Sequence, residues 1–137
     1  MPPRTILPAG WKRPRGYANG MAASGELLAI AGQIGWNADE QFESDDFGHQ
    51  FHQALANVVA VVTSAGGSPA DIISLTIYVT DKREYVAAIA EVGQAYRELI
   101  GKHFPAMALV GVRELLEDRA KVEIQGLAVL ASPAASS

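Results

Sequence analysis

The sequence predicts an α+β domain, a mixed β-sheet with two helices packed on one of its faces. Three observations carry this expectation. Residues 44–65 and 81–101 place apolar side chains at spacings of three and four, the period of an amphipathic helix. Residues 72–80 and 121–130 alternate, the period of a strand. Residues 27–31 and 104–112 are short apolar runs with the composition of further strands.

Residues 1–14 read as an extended N-terminal segment, held open by Pro2, Pro3, Pro8 and Pro14, with room for a short strand at 4–7. Lys12, Arg13 and Arg15 read either as an anion-catching lip over a pocket or as a solvated loop. Residues 17–24 suit an edge strand and Gly25-Glu26 a turn. The run at 27–31 reads as a buried strand ending at Gly32 and Gly35, glycines that permit close backbone approach or a bulge. Trp36 then lies in a polar loop, as a lid over the core or as a pocket wall.

Ser44, Asp45 and Asp46 supply N-cap candidates for the first helix. Its stripe is Phe47, Phe51, Leu55, Val58 and Val62, and Gly66-Gly67 ends it. His49 and His52 lie three apart with Asp45 nearby, but they project away from the stripe and nothing completes a ligand set. They read as surface histidines, and no metal is expected. Residues 68–71 form a turn. In the strand that follows, Ile73, Leu75, Ile77 and Val79 are expected to face one way, and Ser74, Thr76, Tyr78 and Thr80 the other. Asp81 with Glu84 is a capping signature for one second helix, with Tyr85, Ile89, Val92, Tyr96 and Leu99 as its stripe and Gly101 as its stop. Residues 131–137 read as a flexible tail.

At 137 residues, 49% hydrophobic and 19% charged, the chain suits one globular domain spanning 1–137. A net charge of −4 without a basic stripe argues against a nucleic-acid partner. The absence of cysteine excludes disulfides, thiolate catalysis and Cys-based zinc sites. No apolar leader or membrane-length run is present, so the expected location is the cytoplasm, with no membrane partner. A Gly-x-Ser-x-Gly hydrolase motif and a phosphate-binding loop are both missing.

The last strand holds the residue most suspect of chemistry. Val122, Ile124, Ala128 and Leu130 share one face with Gly126; Glu123, Gln125, Leu127 and Val129 share the other. A carboxylate inside an apolar strand is costly to bury unless it is partnered or used. Glu123 reads either as a general acid/base acting on water or an imine, or as a structural carboxylate capped by backbone amides or an arginine. Its face also carries Ser74, Thr76, Tyr78 and Gln125, a mixture that suits neither a monomer core nor open solvent. A homo-oligomer interface is inferred.

Several stretches, in order, give the chain a family likeness: Gly16-Tyr17-Ala18-Asn19-Gly20, Ala31-Gly32-Gln33-Ile34, Gln53-Ala54-Leu55-Ala56-Asn57-Val58, Phe104-Pro105-Ala106 and Val122-Glu123-Ile124-Gln125. Over about residues 15–130 it resembles the Rid family of reactive intermediate deaminases, also called the YjgF family, with the older label L-PSP endoribonuclease. The resemblance implies a chorismate-mutase-like fold and a homotrimer with intersubunit clefts. It also implies cofactor-free hydrolysis of enamines and imines derived from amino acids. It makes Glu123 the water-positioning carboxylate and Tyr17 a cleft-lining residue; Gly32, Trp36, Met107, Leu109 and Gln125 are the other candidate substrate-binding residues. In the family pattern an arginine that grips the substrate carboxylate follows Phe-Pro-Ala; here Met107 stands there. Leu109 replaces a frequent cysteine, and Ala90 and Gly93 fall where a polar and an aromatic cleft residue are common. A bidentate arginine grip has no methionine equivalent. Three readings follow: a diverged enamine/imine deaminase, a non-catalytic small-metabolite-binding trimer, and an endoribonuclease.

Overall fold

The structure is a computed structural model that describes residues 2–131. Two short strands, β1 (Arg4–Ile6) and β2 (Gly20–Ala22), pair antiparallel as a sheet of their own. The main sheet has four strands: β3 (Glu26–Ile34), β4 (Ile72–Val79), β5 (Ala106–Gly111) and β6 (Val122–Leu130). Their order is β3-β6-β4-β5; β6 runs antiparallel to both neighbours, and β4 and β5 are parallel. The expected mixed sheet with helices on one face is present.

Helix α1 (Phe47–Ser64) begins where the Asp46 carboxylate accepts a hydrogen bond from His49 N, at 2.9 Å. Its buried stripe, Phe47, Phe51, Leu55, Val58 and Val62, lies against Leu75, Val79, Val122 and Ile124 of the sheet. Burying each such side chain contributes about 1.5–3 kcal/mol. The helix ends at Gly66, whose φ of +91° suits glycine, while Gly67 N donates to Val62 O at 3.0 Å. The alternating faces of β6 are as expected, with Val122, Ile124, Gly126, Ala128 and Leu130 buried under the helices.

Three expectations need correction. The strand expected to be buried at 27–31 is the β3 edge of the sheet, where Ile30 is buried but Leu27, Ala29 and Ala31 are exposed. In β4 the core residue is Ile72, whereas Ile73 is only half-buried. The pairing of β4 with β6 shifts register between Ile72 and Ser74, and one extra residue moves the alternation to the other face. The expected second helix is two: α2 (Lys82–Ala87) and α3 (Ile89–Leu99), separated at Ala88, whose N–H is shared between Glu84 O and Tyr85 O. The expected tail at 131–137 lies outside the described residues from 132 onward.

Gln50 is a polar group at the centre of the α1 interior. Its Nε2 donates to Ser44 O and Arg119 O at 3.1 and 3.0 Å, and its Oε1 accepts from Lys121 N at 2.9 Å. Two of these bonds tie the 113–121 loop to the helix, and the third holds the segment that leads into it. No helix among the described residues is long and apolar enough to cross a membrane.

Candidate functional site

The faces of the sheet decide which candidate residues meet. Glu123 is paired with Tyr78 of β4, and Gln125 with Thr76, on the face away from the helices. With Leu27, Leu127 and Val110, which are 63%, 37% and 40% exposed, these residues form a semi-polar face that no other part of the described residues covers. On that face the half-buried Glu123 side chain lies across Gly32. A Cβ at residue 32 would stand 2.4 Å from Glu123 Oε2. Gly32 falls where β3 shifts register against β6, between Ile30 and Gln33, and the bulge brings its bare Cα beneath the carboxylate. No described group donates a hydrogen bond to that carboxylate, and no cation pairs with it. The capping amides or arginine that a structural carboxylate requires are not supplied by the described residues.

Met107 and Leu109 point the other way. They pair with Leu75 and Ile77 of β4, both core residues, so their side chains lie on the helix side of the sheet. There, between the outer edge of β5 and the α2–α3 pair, is a cleft of about 550 Å³. Phe51 and Ile77 floor it, Tyr85, Ile89 and Val92 form one side, and Met107 and Leu109 form the other. Tyr17 reaches the mouth because Ala18 N donates to Pro105 O at 3.1 Å, which lays the N-terminal segment along the start of β5. Of the three cations read as a lip, Arg15 lines this cleft, while Arg13 lines a separate hollow beside β1.

Two tyrosines of the cleft have their phenols raised by burial. The Tyr96 ring stacks on Phe104, with centroids 5.8 Å apart and planes 7° from parallel, and its hydroxyl donates to His103 O. Burial pushes the Tyr96 phenol well above its ordinary range, so it is a fixed donor and not an acid in use. Burial also raises the Tyr85 phenol.

Trp36 packs its ring against Phe42 at 5.9 Å, and its carbonyl accepts from Asn57 Nδ2 at 2.8 Å. In the single chain it closes the loop between β3 and α1 and lines no part of the cleft. His49 and His52 are exposed, and His52 Nε2 lies 3.4 Å from the Glu98 carboxylate. Among the described residues, no three His, Asp or Glu side chains are placed to hold a metal ion. One cleft residue was not anticipated. Arg97 lines the cavity, and its Nη1 lies 3.3 Å from where a Cβ on Gly93 would stand. The four-residue spacing of Gly93 and Arg97 was the available signal.

One chain thus separates Glu123, Gln125 and Gly32 from Tyr17, Met107 and Leu109. Each set is well formed, and the two lie on opposite sides of the sheet.

Comparison with known proteins agrees with this fold. The family model described as endoribonuclease L-PSP matches residues 12–130. A RutC family protein of Haemophilus influenzae is 34% identical over 105 residues, covering 77% of this chain and 80% of the relative. The 2-iminobutanoate/2-iminopropanoate deaminase of Escherichia coli K12 is 33% identical over 108 residues, covering 77% and 80%. Among solved structures, the Rid family protein YyfB of Yersinia pestis, described as of unknown function, superposes with a TM-score of 0.83. It is 32% identical, and the match covers 95% of this chain and all of that one, 100%. With its mixed sheet, its helices on one face and its matched length, the chain belongs to the Rid family, the family of the L-PSP model.

Proposed function

We propose that the protein is a diverged, cofactor-independent enamine/imine deaminase that works on a small metabolite in clefts between copies of the chain, assembled as a homotrimer. The observation that carries this reading is the Glu123 carboxylate: half-buried, seated on Gly32, and without a partner on an uncovered face. An unpaired carboxylate in that setting is costly unless a second molecule or a substrate uses it. A copy laid over this face can bring its own Met107–Tyr17 cleft to Glu123, which one chain cannot do. Kinship with an iminopropanoate deaminase supports the choice of reaction.

The chemistry needs one such group. Glu123 takes a proton from water as the oxygen adds to the imine carbon and passes it to the nitrogen, giving a neutral carbinolamine. The carboxylate then takes the hydroxyl proton and delivers it to the amine nitrogen as the C–N bond breaks, so ammonia leaves as the carbonyl forms. Water and imine in equal amounts give ketone and ammonia, and the carboxylate is regenerated.

The test releases 2-imino acids in situ with an amino-acid oxidase and follows keto-acid formation above spontaneous hydrolysis. Glu123→Gln should lose about 10²–10⁴-fold in rate, with the trimer and melting temperature unchanged. Full activity in this variant sinks the assignment. A second reading, a non-catalytic metabolite binder, is favoured by the cleft lining within the chain, which is apolar apart from Arg15 and Arg97 and holds no carboxylate. It predicts ligand-induced melting shifts without turnover. The nuclease reading has least support, since neither histidine nor lysine lines the cleft.

A further inference from the structure

The cleft beside β5 has a charge pattern that the reaction alone does not explain. Arg15 and Arg97 line it, and no aspartate or glutamate does. Arg97 makes no ion pair among the described residues, and its own helix carries Glu91 and Glu98. Those carboxylates are committed elsewhere. Glu98 accepts from Gln94 Nε2 at 3.1 Å and lies beside His52, while Glu91 extends over Gly48 of α1. The guanidinium instead folds back over Gly93 on the cleft side. Gly93 sits inside α3 with ordinary helical φ, so its backbone does not call for glycine. An interior helix glycine is destabilising relative to alanine, and here the missing Cβ leaves the space that Arg97 Nη1 borders at 3.3 Å.

The rest of the lining is apolar and open. Ile89, Phe104, Leu109 and Tyr17 are 54%, 43%, 41% and 43% exposed around this one cavity, a contiguous patch of the kind that marks a binding site. The near-parallel Tyr96–Phe104 stack contributes aromatic surface to the wall. A cavity of about 150 Å³ holds a benzene ring, so the 550 Å³ here accommodates a ring-bearing ligand with room to spare.

We propose that this cleft takes an amphipathic carboxylate, a ring-sized apolar body bearing one carboxylate, anchored by the Arg97 guanidinium with Arg15 at the mouth. The ring lies among Ile89, Met107, Leu109 and the Tyr96–Phe104 stack. The carboxylate meets the planar donor fork of Arg97, which suits two-point recognition. For the deaminase, the inference specifies the imine of a ring-bearing 2-oxo acid over that of a three- or four-carbon one, and to that extent it rests on the proposed reaction.

Calorimetry on the full-length protein separates the two. The probes are phenylacetate, 2-phenylethanol (the same body without charge) and propanoate (the charge without the body). Phenylacetate should bind at least about tenfold more tightly than either, the scale of one charge-assisted contact. Arg97→Gln should lose at least that factor for phenylacetate and leave phenylethanol within about twofold; Arg97→Lys, which keeps the charge but not the fork, should fall between. Gly93→Leu, favourable to the helix, should abolish binding of both ring probes without lowering the melting temperature. Equal binding of phenylacetate and phenylethanol, equal binding of phenylacetate and propanoate, or an unchanged Arg97→Gln affinity overturns the proposal. If phenylacetate fails to bind through Arg97 while Glu123→Gln still abolishes imine turnover, the ligand class falls and the reaction stands. If Arg97-dependent binding is seen and no imine is turned over, the reaction falls and the ligand class stands.

Discussion

Substituting Gly32 by alanine tests the placement of Glu123 without touching Glu123. The φ of Gly32 is not positive, so alanine meets no backbone strain. Its Cβ meets Glu123 Oε2 at 2.4 Å, Cδ at 2.6 Å and Cγ at 2.9 Å, where ordinary contact begins at 3.4 Å. The carboxylate must therefore withdraw by 3.4 − 2.4 = 1.0 Å, and the rest of the side chain by somewhat less. The crowded atoms are the far end of a flexible side chain that can turn aside, so the stability loss should fall at the low end of the overpacking range, about 1 kcal/mol. The rate should respond far more, since a misplacement of about 1 Å costs on the order of 10²-fold. The assay is keto-acid formation from 2-imino acids generated in situ, alongside melting temperature. The control is the same change in a Glu123→Ala background, where the crowded atoms are gone and Gly32→Ala should be neutral for stability. Wild-type rates in Gly32→Ala would refute the assignment of the seat. A stability loss that persists in the Glu123→Ala background would show that the crowding lies elsewhere.

Leu27, 63% exposed on the uncovered face, should on replacement by lysine turn a trimer into smaller species by light scattering while helical circular dichroism is retained. Met107→Arg should raise activity on small imino acids such as 2-iminopropanoate. With the cleft empty it should lower stability by about 1–3 kcal/mol, because a half-buried cation joins Arg15 and Arg97 with no anion to meet it. Tyr96 gives a pH signature. Its folded phenol is held above the ordinary value of 10.0 by burial, so its contribution is full below about pH 10. That contribution is lost as pH rises from there toward the folded value, since the unfolded chain ionises first. Tyr96→Phe should flatten this alkaline loss in urea titrations at about pH 9–11, a range set around the ordinary phenol value.

The α1 stripe and the two faces of β6 were legible because period and burial agree along their whole length. That agreement also put Glu123 on the open face before any coordinates. Ile72 was misread because a bulge obeys pairing and not alternation: one extra residue leaves Ile73 in the wrong phase. The break at Ala88 left no mark on the pattern, since apolar positions on α2 and α3 continue one stripe across a single-residue turn. The role of Gln50 left no signal in the α1 pattern, since its three hydrogen bonds reach chain segments six to seventy-one residues away, which local spacing cannot reveal. Arg97 was missed for a related reason. An arginine late in a helix reads as a solvated cation, and only Gly93 beneath it says otherwise.

The order β3-β6-β4-β5 has a consequence for how the molecule is made. The final strand of the described chain is an interior one, inserted between β3 and β4. Until residues 122–130 leave the ribosome, the nascent sheet has an empty slot in its middle, flanked by two unsatisfied strand edges. Pairing across that slot joins Glu26 to Leu130, a long loop closure of the kind that slows folding. A chain released before that strand therefore lacks both the closing element of the core and the glutamate. Synthesis cannot yield a folded stub that lacks Glu123, because completion of the sheet and arrival of that carboxylate are one event.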